Sequence, residues 1–419
     1  MKVAVVVHNY FPSIGGTQVL LQSVAEKCVS EYGDEFTIYT TNSYFSPHSK
    51  SFKRIFPKEE SLNGVLIKRY SFYRFHLGFL RLVKKIRYKL GLPQSAFIER
   101  YLYGPWSPSL IRSLNETDAD VILASSLNYS FTQYPLMRNR VKNAKPFILQ
   151  GAIHFDLSCE NISSESFKII QASDIYIANT EYEKKRLTDS GILHSKIKVV
   201  GCGVDVEAYE NIDRDQYRRK LNIDENEILI GYIGRIQKHK SIDVLIKAFG
   251  LLPASSNVKL LIAGHGNEHM DELYAIATES VTNYEQKILF QTDISEDEKT
   301  KLFHALDIFV LPSVSESFGI VFLEAWACKK PIIGMNIGAI ASVISDNKDG
   351  LLVSPNNVTD LADKIYKLAE DSKLRMQLGF NGYQKVKKKY TWDTIAFHYR
   401  KAFEDAIEVF KHNNSARNH

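Results

Sequence analysis

The chain has 419 residues, too many for one ordinary hydrophobic core, so two domains are expected. Its 44% hydrophobic and 24% charged residues exclude disordered and fibrous classes and read as a soluble globular protein. A net charge of +5 permits anionic substrates or a membrane surface but gives no sign of a nucleic-acid partner, and no run reaches the roughly 18 apolar residues of a bilayer span. Cys28, Cys159, Cys202 and Cys328 are scattered without metal-ligand spacing, which fits a reduced cytosol.

The chain opens on Lys2-Val3-Ala4-Val5-Val6-Val7, a faint imitation of a signal peptide. His8 and Asn9 end the apolar run and no small-residue cleavage site follows, so a buried first strand is predicted. Next comes the turn Tyr10-Phe11-Pro12-Ser13-Ile14-Gly15-Gly16-Thr17. Paired glycines opening a helix let backbone approach a phosphate closely; a plain tight turn explains the pair as well. Further strands are predicted at 36–41, 65–70, 121–124, 146–149, 175–178 and 197–200. Most are nearly continuous apolar runs, as strands covered on both faces should be.

In the aromatic and basic stretch from Tyr70 to Trp106, residues Phe79, Leu82, Val83, Ile86 and Leu90 share one helical face. Arg81, Lys84 and Lys85 lie opposite, with Arg87 and Lys89 on the flanks. The pattern of residues 79–90 suits a helix lying in the plane of an anionic membrane, or an ordinary helix covering the first sheet. His154, within Gln150-Gly151-Ala152-Ile153-His154-Phe155-Asp156, stands directly after a predicted strand. A lone histidine is usually packed or solvated, but a strand's carboxyl end is where ligands bind in such sheets.

Polar residues from Asp205 to Asn226 then interrupt the pattern, which restarts at Ile228–Ile233. Strands are predicted there and at 259–263, 288–291, 308–311 and 331–333. Strands alternating with helical stretches predict an α/β fold of two doubly wound, Rossmann-like domains facing across a cleft. The expected division is 1–204, 205–390, and a C-terminal helix and tail at 391–419, the helix packing back across the first domain.

Three segments of the second domain carry chemistry. In Gly234-Arg235-Ile236-Gln237-Lys238-His239-Lys240, a guanidinium fork and an ammonium at a strand's carboxyl end suit a diphosphate, although a solvated basic loop is the bland alternative. Leu261-Ile262-Ala263-Gly264-His265-Gly266 ends a strand in a Gly-x-Gly turn. His269 stands where the last glycine of a dinucleotide fingerprint belongs, so a cleft-lining turn is expected and not a nicotinamide site. From Ser313 to Gly334, Glu316 precedes a helix that begins near Phe318, Gly319 and Ile320, and Glu324 lies two turns further in. Free N–H groups at a helix mouth favour an anion, and a carboxylate beside them can hold hydroxyls, so this segment outlines a nucleotide-sugar site.

Together these residues resemble family 4 of the retaining glycosyltransferases, the glycosyl transferases group 1, which share the two-domain GT-B architecture. The resemblance runs from Gly15-Gly16 to Trp392 and includes Lys198–Asp205 and Asp307–Ser313. It implies that Arg235 and Lys240 grip the donor diphosphate, Glu316 holds the donor sugar's hydroxyls and Glu324 the ribose hydroxyls. Backbone N–H groups at Phe318, Gly319 and Ile320 would face phosphate and sugar, Gly15-Gly16 would close from the first domain, Gly264 would line the cleft, and His154 would sit near sugar and acceptor.

The implied function is transfer of a hexose, with retention, from a nucleoside-diphosphate sugar to a glycan or lipid-linked acceptor in surface polysaccharide or glycolipid synthesis. The first domain would bind acceptor and the second donor. Neither cofactor nor metal is expected, and the strings Asp118-Ala119-Asp120 and Asp213-Arg214-Asp215 read as solvated turns. The expected location is cytoplasmic, peripheral on the inner membrane face if residues 79–90 meet lipid. A non-catalytic scaffold or partner subunit and a sugar-nucleotide epimerase are the competing readings. Three departures stand out: Gly201-Cys202 where the family often has Pro-Asn, Ser241 where it often has glycine, and Gln18 near a common glutamate. The first two predict altered loop geometry with the charged groups spared; the third leaves the acceptor side open.

Overall fold

The computed structural model describes residues 1–415 except positions 14, 45–52, 74–76, 94, 96–97, 99–101, 103–105, 128–129, 139–140, 156–161, 211 and 267–268. Ile14, Cys159, Asp156, parts of the 70–106 stretch and the tail from 416 therefore lie outside the described residues.

Two sheets form. The first has eight strands, β1 (Lys2–Val6), β2 (Glu35–Thr41), β3 (Glu59–Leu62), β4 (Val65–Tyr70), β5 (Val121–Ser125), β6 (Phe147–Gln150), β7 (Ile175–Ala178) and β8 (Ile197–Val199), in the order β3-β4-β2-β1-β5-β6-β7-β8. All its neighbours pair in parallel except β3 with β4. The second is parallel throughout: β9 (Ile228–Ile233), β10 (Val258–Gly264), β11 (Ile288–Thr292), β12 (Ile308–Leu311), β13 (Ile332–Met335) and β14 (Leu351–Val353), in the order β11-β10-β9-β12-β13-β14. Every residue of β5, β6, β7, β12 and β13 is buried, which explains why their sequences are apolar without alternation.

Helices fill the crossovers. Among them α1 (Gly16–Tyr32) follows β1, α2 (Leu77–Lys89) follows β4, α3 (Glu181–Asp189) follows β7, α4 (Glu296–Ala305) follows β11, α5 (Ile320–Ala327) follows β12, and α6 (Gly338–Val343) follows β13. The last helix, α7 (Trp392–Ser415), returns to the first domain, as predicted. There Arg400 Nε meets Asp34 Oδ2 at 3.1 Å, Phe403 meets Phe36 with ring centroids 6.1 Å apart, and Lys27 pairs with Asp393 at 2.6 Å. The domains also touch directly: Tyr182 N, at the start of α3, donates to Ser342 Oγ on α6 at 3.3 Å.

Two consequences locate the chemistry. The winding reverses where β1 lies between β2 and β5, and again where β9 lies between β10 and β12. Loops leaving the carboxyl ends of flanking strands diverge at such points and open a crevice. Second, α2 does not bury its apolar face on the sheet. Phe79, Leu82, Ile86 and Leu90 remain 65%, 55%, 47% and 66% exposed, so the covering-helix alternative fails for them. Among the described residues no helix is long and apolar enough to cross a membrane.

Candidate active site

At the second switch point the loops after β9 and β12 are bound together. Ser313 Oγ and Val314 N both donate to the His239 carbonyl at 3.3 Å. That union brings Lys240 to Glu316: Nζ lies 2.5 Å from Oε1, and both side chains are nearly buried. An ion pair so removed from water keeps two opposite charges at one spot, which can meet a ligand that carries both phosphate and hydroxyls. Arg235 sits exposed at the same strand end.

The charges acting on His239 show which groups share this neighbourhood. Burial and then the Lys240 ammonium push its imidazole down, Glu316 opposes them, and Arg235 and His154 add to the lowering. His154 follows β6 in the first domain while the others follow β9 and β12, so the set spans the cleft. Gly16 faces it too: a Cβ there would lie 3.4 Å from Ile320 Cδ1 at the start of α5. Gly15 precedes it in extended backbone.

Gly319 caps α5 with φ +88, a conformation that favours glycine, and offers no side chain to the helix's first N–H groups. Phe318 beside it is buried and meets the Tyr390 ring edge-on at 5.6 Å. Gly264 is fixed by close approach, since a Cβ there would fall 1.6 Å from the Gly234 carbonyl oxygen, joining the turns after β9 and β10.

The departures resolve individually. Ser241 adopts φ +51 and ψ +40, the left-handed region, so the loop after Lys240 keeps a glycine-like path despite the predicted change, with serine bearing the strain. Gly201 likewise has φ +85. The Gln18 amide is turned back onto Asn9 Oδ1 at 2.7 Å. In the two aspartate strings, Asp118 pairs with Lys2 at 2.6 Å, Asp120 accepts from Lys2 N at 2.8 Å, Asp213 caps a helix through Gln216 N at 2.9 Å, and Asp215 lies 3.8 Å from Arg214.

Glu324 is 7% exposed on α5. Two groups around it went unpredicted: Lys299, 2.5 Å away on α4, and the Tyr209 hydroxyl at 3.0 Å. Glu183, on α3, was missed as well. It is buried, and its Oε1 accepts from Tyr176 at 2.6 Å and from Ile153 N at 3.3 Å, while Oε2 accepts from Asn179 N at 2.7 Å. It therefore ties down the backbone just before His154. Burial pushes its carboxyl up to about 7, against the pull of those three donors. Thr180-x-x-Glu183 has the spacing of a capping box, the one signal in the sequence that could have marked it.

Residues 213–385 match the family described as glycosyl transferases group 1. The matched stretch takes in the whole second sheet, from β9 to β14. A D-inositol 3-phosphate glycosyltransferase of Stackebrandtia nassauensis is 29% identical over 251 residues, 58% of this chain and 56% of that protein. The chain spans about half the length of the curated relatives it matches. Among solved structures, Anabaena HepE in complex with UDP-glucose superposes with a TM-score of 0.68 at 17% identity, covering 96% of this chain and 99% of HepE. WaaG, a glycosyltransferase involved in lipopolysaccharide biosynthesis, gives 0.64 at 16%, covering 96% and 98%. The fold is therefore GT-B, two Rossmann-like domains across a cleft. Within the matched stretch, Arg235, Lys240, Glu316 and Glu324 all lie on the loops and helix that surround the second switch point.

Proposed function

We propose that the protein is a retaining glycosyltransferase that moves a hexose from a nucleoside-diphosphate sugar to a glycan or lipid-linked acceptor in surface polysaccharide or glycolipid synthesis. The observation that carries this is the Lys240–Glu316 pair at the switch point, with Arg235 beside it and the Glu324 carboxylate on the following helix. The UDP-glucose held by HepE supports a nucleotide-sugar donor.

In this reading residues 205–390 bind donor, residues 1–204 bind acceptor, and within the 391–419 segment the α7 helix braces the first domain. Arg235 and Lys240 hold the diphosphate; the α5 N–H groups at Phe318, Gly319 and Ile320 face phosphate and sugar. Glu316 takes the sugar's hydroxyls and Glu324 the ribose's, while Gly15, Gly16 and Gly264 let backbone line the cleft. As the bond from anomeric carbon to phosphate oxygen breaks, its electron pair leaves on the diphosphate, where the two cations stabilise it. The acceptor hydroxyl attacks from the same face, and its proton passes to the departing phosphate oxygen. His154 borders the anomeric carbon. Side-chain cations perform the stabilisation, so transfer proceeds without a metal.

The α2 face of Phe79, Leu82, Val83, Ile86 and Leu90, with its basic opposite side, would rest on anionic lipid at the cytoplasmic surface, close to a lipid-linked acceptor. Incubation with UDP-, GDP- and ADP-hexoses and a membrane lipid extract tests the whole reading. Labelled sugar should enter the lipid or glycan fraction with stoichiometric release of nucleoside diphosphate. Conversion of the donor sugar without an acceptor would instead make the protein an epimerase.

A further inference from the structure

Glu324 reaches its place with one oxygen already engaged. Oε1 accepts from the Lys299 ammonium at 2.5 Å and from the Tyr209 hydroxyl at 3.0 Å. Oε2 is buried and has no hydrogen-bond partner among the described residues. Native structures rarely leave a buried carboxylate oxygen unmatched unless something outside the chain supplies the donor.

The two partners are themselves fixed. Lys299 stands in the first turn of α4, 20% exposed, with Glu296 Oε2 at 3.1 Å. Burial pulls its ammonium down, and the charges of Glu324 and Glu296 outweigh that, holding it above the usual lysine range. Tyr209 is buried in the 207–209 turn, its carbonyl 2.7 Å from His304 Nε2 and its ring edge-on to Phe303 at 6.4 Å. Two separate chain segments thus converge on a single oxygen atom carried by a third. The last torsion of a glutamate is broad and two-fold when free, so an unclamped carboxylate would rotate. Clamping one oxygen fixes the direction of the other, and the ammonium compensates a charge that would otherwise be costly to bury.

We propose that Lys299 and Tyr209 are positioning residues of the donor site, holding Glu324 Oε1 so that Oε2 is presented to a ribose hydroxyl of the nucleotide. The inference rests on the reading of Glu324 as the ribose-binding carboxylate. It makes affinity for the ribose, and nothing else in the nucleotide, depend on residues that do not touch it.

Titration calorimetry with UDP and 2′,3′-dideoxy-UDP, and with the guanosine and adenosine pairs, provides the test. Wild type should bind one ribonucleotide at least about tenfold tighter than its dideoxy form, the worth of a hydrogen bond to a charged group. Lys299→Met should lose about tenfold for the ribonucleotide and keep its dideoxy affinity; Lys299→Arg should recover part of the loss. Tyr209→Phe should show the same selective loss, smaller, and serves if Lys299→Met fails to fold. Unchanged ribonucleotide binding in both variants overturns the proposal, as does equal loss for both forms, which marks a merely structural role. If wild type binds the two forms equally, the ribose assignment itself is wrong. If it binds no nucleoside diphosphate, the glycosyltransferase reading fails before any variant is made.

Discussion

Replacing Glu183 with glutamine should flatten the pH dependence of stability. The carboxyl is buried, and burial raises it from an ordinary 4.5 to about 7 in the folded protein. An acid whose folded value is raised favours the fold while it is neutral. That contribution is therefore present at low pH and is lost as pH climbs from about 4.5 to about 7. The difference amounts to about 3 kcal/mol, at roughly 1.4 kcal/mol per unit. Glutamine stays neutral throughout and keeps one acceptor for Tyr176, Asn179 and Ile153, while its NH2 faces the same donors at a cost that does not vary with pH. Chemical denaturation of both proteins at pH 5 and pH 8 reads the effect. Relative to wild type, Glu183→Gln should gain about 2 kcal/mol between those values. Parallel curves would mean that Glu183 is ionised in the fold, and the burial argument would be wrong.

Other positions give independent checks. Ser241→Gly should raise stability by up to about 1 kcal/mol by relieving a left-handed serine, seen as a higher unfolding midpoint; a lower midpoint contradicts the strain. Gly264→Ala should cost at least about 2 kcal/mol and abolish nucleotide binding, because its Cβ would displace the Gly234 carbonyl; a variant that binds normally contradicts the close approach. Lys84→Glu with Lys85→Glu should weaken sedimentation with anionic liposomes by at least about tenfold, and unchanged sedimentation removes α2 from any membrane role. Glu316→Ala should leave a folded protein that retains less than about 1% of transfer.

Strands were legible wherever burial on both faces demanded an apolar run, as in Val121–Ser125 and Ile308–Leu311. The two that escaped lacked that signature. Glu59–Leu62 is a polar, antiparallel edge strand, and Leu351–Val353 is only three residues long. The same limit applied at the site. Arg235, Lys240 and Glu316 could be singled out as candidates because each sits in a loop directly bounding a strand or helix. Lys299 and Glu183 could not, because each lies among charged neighbours, in Glu296-Asp297-Glu298-Lys299 and Glu181-Tyr182-Glu183-Lys184, that look like solvated helix surface. Their burial comes from partners distant in sequence, Glu324 for Lys299 and the Ile153 backbone for Glu183. Local charge pattern holds no record of such packing.

The central claim is that the Lys240–Glu316 pair between the loops after β9 and β12 opens to take the diphosphate and sugar of one donor. Titration calorimetry of wild type and Lys240→Ala with nucleoside-diphosphate hexoses tests it most directly. The account predicts stoichiometric binding of at least one such donor by wild type, and a loss of at least about tenfold in the variant with the fold intact. Failure of wild type to bind any of them, or equal binding by Lys240→Ala, would contradict it.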